Sequence, residues 1–306
     1  MDATNVDQTS AVISIERSRT ARKLGLPAAF GRLSRSSLAS GAFLLTLCLV
    51  ALAAPLITDA SPVAVNPAVR LQPPSATHWL GTDDLGRDVF ARLIYGARVS
   101  LLVGAITMLG SAMVGAVLGL VAGYYYRFDN VIMRVLDGLM AFPSVLLAIA
   151  ITTSIGPSLG NVVLALVIVY APVIARVVRS SALVNKRRLY VISARAVGVS
   201  DINILRRYVL ANSVSPLIVQ CTFVVAYAII AEASLSFLGA GIDPETATWG
   251  NMLRDGQRLI ARAWWLWLFP GAALVITVLS LNLLGDGLRD VLDPRSAGSH
   301  RIGRWR

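Results

Sequence analysis

Six long apolar runs interrupt the polar background of the chain: Leu38 to Ile57, Val99 to Ala122, Leu139 to Ile155, Val162 to Val178, Pro216 to Phe237 and Trp264 to Leu284. At ~1.5 Å per residue each can cross a hydrocarbon core of ~30 Å with modest tilt or helical extension. Inside lipid every backbone amide must find its partner within the segment, so the runs are expected to be helices. The pattern predicts an all-α, polytopic membrane protein with six transmembrane helices. It divides the chain into a tail (1–37), a first span (38–57), a segment leading to the second span (58–98), a core with five spans (99–287) and a second tail (288–306).

The connections add detail. The first tail shows no sustained periodicity beyond a short interfacial helix expected near Leu24 to Leu33. Pro62, Pro67, Pro73 and Pro74 exclude a regular helix in the outer stretch that follows the first span. From Leu85, apolar Val89, Leu93 and Ile94 alternate with Arg87, Asp88 and Arg92, which predicts an amphipathic elbow along the surface. Ser111, Gly115, Gly119 and Gly123 form a small-residue stripe on the second span, expected to pack a neighbouring helix of the same chain. From Thr248 a short surface helix is expected, and Trp249, Trp264, Trp265 and Trp267 fit an aromatic belt.

Composition agrees with the membrane reading: 56% of residues are hydrophobic, 15% charged, and the mean hydropathy is +0.67. The net charge of +11 invites a nucleic-acid partner, but its distribution points elsewhere. With a cytosolic N-terminus, the inner segments hold 21 of the 28 Lys and Arg residues and the outer ones 7. That is the positive-inside bias, and it places both termini in the cytosol with no nucleic-acid partner required. Cys48 and Cys221 fall inside predicted spans, and His78 and His300 are too far apart for a metal cluster, so no bound metal is expected. The mostly polar first tail is not a cleavable signal, and the first span is expected to stay as an anchor. Glu232 is a carboxylate within the fifth span and therefore a candidate for lining or gating a pathway. The competing reading places it near the outer boundary, hydrogen-bonded to a neighbouring helix.

One stretch resembles neither span nor tail: the inner connection 179–212, which includes "SARAVGVSDINILRRYVLANS". Leu189 to Val197 favours helix, and Gly198 suits the left-handed position beyond its end. Ser200 can cap a second helix, with Asp201 in its positive first turn. Ile202, Leu205 and Val209 then share one face. An apolar face outside the membrane needs a partner, a lipid surface or a groove in another protein.

This connection resembles the EAA motif of ATP-binding-cassette (ABC) importer permeases: E-A-A, three residues, Gly, and later I-x-L-P. The chain has Ile192-Ser193-Ala194, Gly198 and Tyr208-Val209-Leu210-Ala211. Ala194, Gly198 and Leu210 match, whereas Ile192, Ser193, Tyr208 and Ala211 depart from the pattern. Three further stretches, "HWLGTDDLGRDVFARLIYGARVSL", "EASLSFLGAGIDPETATWGNML" and "LLGDGLRDVLDPR", resemble the second permease of peptide/nickel-type importers. The likeness runs from about Leu38 to Arg295.

The resemblance implies a type I importer permease in a bacterial cytoplasmic membrane. It would pair with a second permease, two ATPase subunits and an extracytoplasmic solute-binding protein. ATP and Mg would sit on the ATPases. No GxxxxGK[ST] loop is found in this chain, which is expected to be a non-catalytic transport subunit. Ala194, Arg195, Gly198, Ser200, Asp201, Ile202 and Leu205 would form the part that couples to the ATPases. Solutes of that subfamily are di- and oligopeptides, nickel, glutathione and opines. A stand-alone secondary carrier would instead show mid-membrane charges and repeated halves with broken helices; Glu232 is the single such charge expected and no repeat is visible. A membrane-embedded enzyme would need clustered acids, His or a nucleophile with its base within the spans, and none is visible.

Overall fold

The computed structural model describes residues 34–292. Most of the first tail, with its expected helix near Leu24 to Leu33, and the end of the second lie outside the described residues. Ser34 opens α1 (Arg35–Leu52), its hydroxyl accepting from the Ser37 amide at 3.1 Å. A short α2 (Ala54–Ile57) follows. The Pro-rich stretch is irregular, apart from one 3₁₀ turn at Pro67–Val69 and an isolated bridge between Thr82 and Asp88.

The expected surface elbow is not one. Asp88 caps α3 (Val89–Tyr124), accepting from the Ala91 amide at 2.9 Å, and the helix then runs unbroken for 36 residues. Its first turns are buried, with Val89 and Ala91 fully enclosed and Arg92 1% exposed. Sequence periodicity cannot tell a lipid surface from a cap formed by distant loops, and here the cap is protein.

The third apolar run is also corrected. The expected inner turn is helical, forming α4 (Tyr126–Met140), and the span breaks before α5 (Ser144–Ile155) at an angle of 90°. Pro143 stands at the break, where it has no N–H to continue the ladder. Ser158 caps α6 (Leu159–Asn185) through the Asn161 amide at 3.1 Å.

Beyond α6 come α7 (Leu189–Ala196) and α8 (Asp201–Ile204), a π turn over Leu205–Leu210, and α9 (Ala211–Leu238). Residues 201–238 form one helical rod of 38 residues, so the second helix of the inner connection is the foot of the fifth span. Thr248 caps α10 (Trp249–Gln257), and α11 (Trp265–Leu292) closes the bundle. Five helices are long and apolar enough to cross a membrane, and the bent pair α4–α5 provides a sixth span.

The small-residue stripe packs α3 on α6 within the chain. A Cβ on Gly115 would lie 2.7 Å from Ala171 O, and one on Gly119 2.5 Å from Ala175 O. Any larger side chain would force apart two helices that touch backbone to backbone. Val103, Leu166, Ile174, Val224 and Leu235 then fill the core between α3, α6 and α9.

Two of the four tryptophans leave the expected belt. Trp249 is fully buried and donates to Leu93 O at 3.2 Å; Trp265 is buried and donates to Thr82 O at 3.2 Å. Both are pegs beneath the loop cap, satisfied at the indole N–H as buried tryptophans require. Trp264 and Trp267 are exposed, as an interfacial belt demands.

Candidate functional site

The connection between α6 and α9 sits on the basic end of the bundle. Its inward face is a small core of Tyr124, Ala182, Val191, Ile204 and Val209. Tyr124, the last residue of α3, organises the polar side. Its hydroxyl donates to Asp201 Oδ1, and Arg195 Nη2 donates to that hydroxyl at 2.8 Å while the guanidinium lies 5.3 Å from the Tyr124 ring centre. Lys186 Nζ donates to Gly123 O at 2.6 Å, and burial pulls its ammonium below the ordinary value. Thus α7 is fastened to the ends of α3, α6 and α9 together.

Gly198 has φ +86° and nothing within 4 Å of where a Cβ would stand. It occupies the left-handed position expected beyond α7, with its N–H bonded to Arg195 O at 3.0 Å and the Val199 N–H bonded to Ala194 O at 3.0 Å. Ser200 has the extended backbone of a cap, but its side chain makes no capping bond. The expected apolar face is rotated. Ile204 and Val209 are fully buried, Leu205 is half-buried, and Ile202 is 74% exposed. The π turn brings residues five apart into line, so α-helical spacing no longer selects the buried set.

The outward face of this segment is apolar and cationic. Leu189, Ile192, Val197 and Ile202 are exposed, and so are Arg187, Arg188, Arg206 and Arg207. Ala194 is half-buried beneath it, and Arg195 is exposed. The surface is therefore a fixed, pre-shaped knob whose apolar residues have no partner within the chain.

Glu232 lies apart, fully enclosed between α3 and α9. Ser100 Oγ donates to Oε2 at 3.1 Å and Ser236 Oγ to Oε1 at 2.9 Å. Both carboxylate oxygens are engaged inside the chain, and Glu232 lines none of the clefts described.

At the opposite end the loop cap hides a charge cluster that the sequence pattern did not reveal. Asp83 Oδ2 accepts from Arg87 Nε at 2.6 Å and lies 3.4 Å from Arg92 Nη1. Asp255 Oδ2 accepts from Arg87 Nη2 at 3.1 Å and Arg92 Nη2 at 3.2 Å. Burial pushes the Asp255 carboxyl up, with Arg92 and Arg87 pulling the other way. Arg87 and Arg92 read as the wet side of an elbow, and Asp255 is 163 residues from Arg92. A run of charges directly before a span was the available signal.

Residues 115–298 match the family described as binding-protein-dependent transport system inner membrane component. A peptide transport system permease protein of Brucella suis biovar 1 is 50% identical over 252 residues, spanning 82% of this chain and 85% of that protein. The dipeptide transport system permease protein DppC of Alkalihalophilus pseudofirmus is 45% identical over 270 residues, with 87% and 89% covered. A chain of the MetNI methionine ABC transporter, solved in inward facing conformations, shares the fold with a TM-score of 0.55 at 17% identity. That likeness covers 66% of this chain and 96% of that one.

Proposed function

The chain belongs to the family of binding-protein-dependent transport system inner membrane components, the permeases of ABC importers, and from that premise we propose that it forms half of a peptide pathway. The other half comes from a second, non-identical permease. Two ATPases, carrying ATP and Mg, take the basic knob of residues 186–210 into their grooves. An extracytoplasmic binding protein delivers solute to the loop-capped end, and both termini face the cytosol of a bacterial inner membrane. Di- and oligopeptides are the solute class the relatives' names favour; nickel, glutathione and opines are the alternatives within the same importer class.

The observation that carries the coupling is the knob itself. Its apolar side chains point outward while Tyr124, Arg195 and Asp201 fasten it to the ends of three spans. A push on such a rigid body is transmitted to the helices, and the bundle pair is the two-state element. Ala194, Arg195, Gly198, Ser200, Asp201, Ile202 and Leu205 are the coupling residues in this reading.

Gly198→Pro tests it. Proline cannot adopt φ +86° and removes the N–H that closes α7, while the spans are untouched. The tagged wild-type chain is expected to co-purify from mild detergent with a second permease and ATPases. The variant keeps the permease and loses the ATPases. A wild type that purifies alone and moves solute without ATP would return the chain to the carrier class.

A further inference from the structure

Two ion pairs join α4 to α6, and they differ in kind. Arg179 grips Asp129 with two bonds, from Nε at 2.5 Å and Nη2 at 2.7 Å, and its side chain is 31% exposed against 14% for Asp129. That pair is closed. Arg176 meets Asp137 through a single bond, Nη2 to Oδ1 at 2.6 Å, with the two side chains 46% and 56% exposed. Among the described residues, that leaves guanidinium donors and the second carboxylate oxygen free.

Arg176 is nine residues from the Asn185 end of α6 and 17 from Leu159, or ~14 Å and ~26 Å along the helix. In the sequence it counts with the inner loops, yet it stands within a span. A half-open ion pair at that depth cannot face hydrocarbon and must face water or a polar solute. Val169, Val173 and Arg176 follow one another along one face of α6, and Val173 lines a cleft of about 450 Å³ at the α4–α5 break. The cleft's walls include Leu139, Ser144 and the tyrosines Tyr170 and Tyr227, stacked with centres 6.4 Å apart. A broken helix beside a cleft at membrane depth is the usual setting for solute contact.

We propose that this cleft is a solute subsite of the pathway, in which Arg176 receives the carboxylate and Asp137 the ammonium of a zwitterion. Tyr170 and Tyr227 flank the organic part. The inference rests on the permease reading and narrows its solutes to molecules bearing both charged groups, such as peptides or glutathione, against a bare metal ion.

The test uses the full complex in liposomes, with Val173→Cys in a chain carrying Cys48→Ala and Cys221→Ala. An aqueous, charged thiol reagent is expected to label the introduced thiol. Dialanine or glutathione should slow that labelling at least fivefold, with N-acetylated and amidated dialanine protecting less. Adding Arg176→Gln or Asp137→Asn abolishes that protection without changing labelling in the absence of solute. Leu139→Cys on the facing helix serves if Val173→Cys fails to assemble. Absence of labelling at both positions, protection by Ni²⁺ alone, or equal protection with and without Arg176→Gln overturns the subsite. ATP-dependent uptake by the parent complex is read in parallel. Protection without ATP-dependent uptake sinks the permease reading and spares the subsite; uptake without protection does the reverse.

Discussion

The two ends of this bundle are built on opposite principles. The loop cap over residues 66–92 and 243–266 is finished within the chain: Trp249 and Trp265 plug it, and Asp83, Arg87 and Arg92 are all less than a tenth exposed. The basic knob over residues 186–210 is finished only on one side, with Val197 83% and Leu189 78% exposed. Glycines tell the same story. Gly86 and Gly198 both have left-handed φ, +75° and +86°, but a Cβ on Gly86 would overlap Asn66 O, whereas none of the chain approaches Gly198. One end is closed by its own sequence and the other is shaped for something else. A surface that transmits motion must be stiff beneath and vacant above.

Substitutions can break this contrast, beginning where the chain is most crowded. Gly86→Ala sets a side chain against backbone at a left-handed position, so the variant should lose more than about 3 kcal/mol of stability. Failure to recover folded protein in detergent is the expected result, and a normal thermal midpoint would show that the cap yields. Asp83→Ala comes next. It leaves two guanidiniums buried with one carboxylate between them, a change of about 3–5 kcal/mol, read as a lowered unfolding midpoint.

Asp255 sharpens the comparison inside the same cluster, with an effect of about 1 kcal/mol or less for Asp255→Asn. Its carboxyl is held above the ordinary value by burial, so the folded state favours the protonated form. Asp255 therefore contributes most below its ordinary value, and that contribution is lost as pH rises through the raised one. The difference between wild-type and Asp255→Asn unfolding midpoints should carry that slope; a flat difference would mean the carboxyl titrates normally. The smallest effect belongs to the knob. Val197→Ser or Ile202→Ser should leave the midpoint unchanged within about 0.5 kcal/mol while reducing ATPase co-purification. A large loss of stability would mean these residues pack within the chain after all.

Much of the bundle was legible because lipid makes a simple demand. Six apolar runs become helices, and a stripe of small residues on α3 becomes the seam with α6. What misled was the assumption that charge marks a boundary. Asp137 and Arg176 looked like loop residues at the ends of runs, yet they stand within the α4–α5 and α6 spans, where each has the other. Arg87 and Arg92 looked wet and are dry, because Asp83 and Asp255 neutralise them. In the knob, Gly198 was readable from its position after a helical run, since only a backbone demand is involved. The buried set Ile204 and Val209 was not, since a π turn changes the spacing from which faces are counted.

The sequence by itself determined what each residue needs: apolar runs need lipid or core, a charge needs a counter-charge or water, and glycine at a left-handed joint needs no Cβ. The tertiary structure alone decided who meets those needs. Partners such as Asp83 and Arg92, or Tyr124 and Asp201, are set by which helix ends converge, and convergence depends on packing summed over the whole bundle rather than on any local pattern.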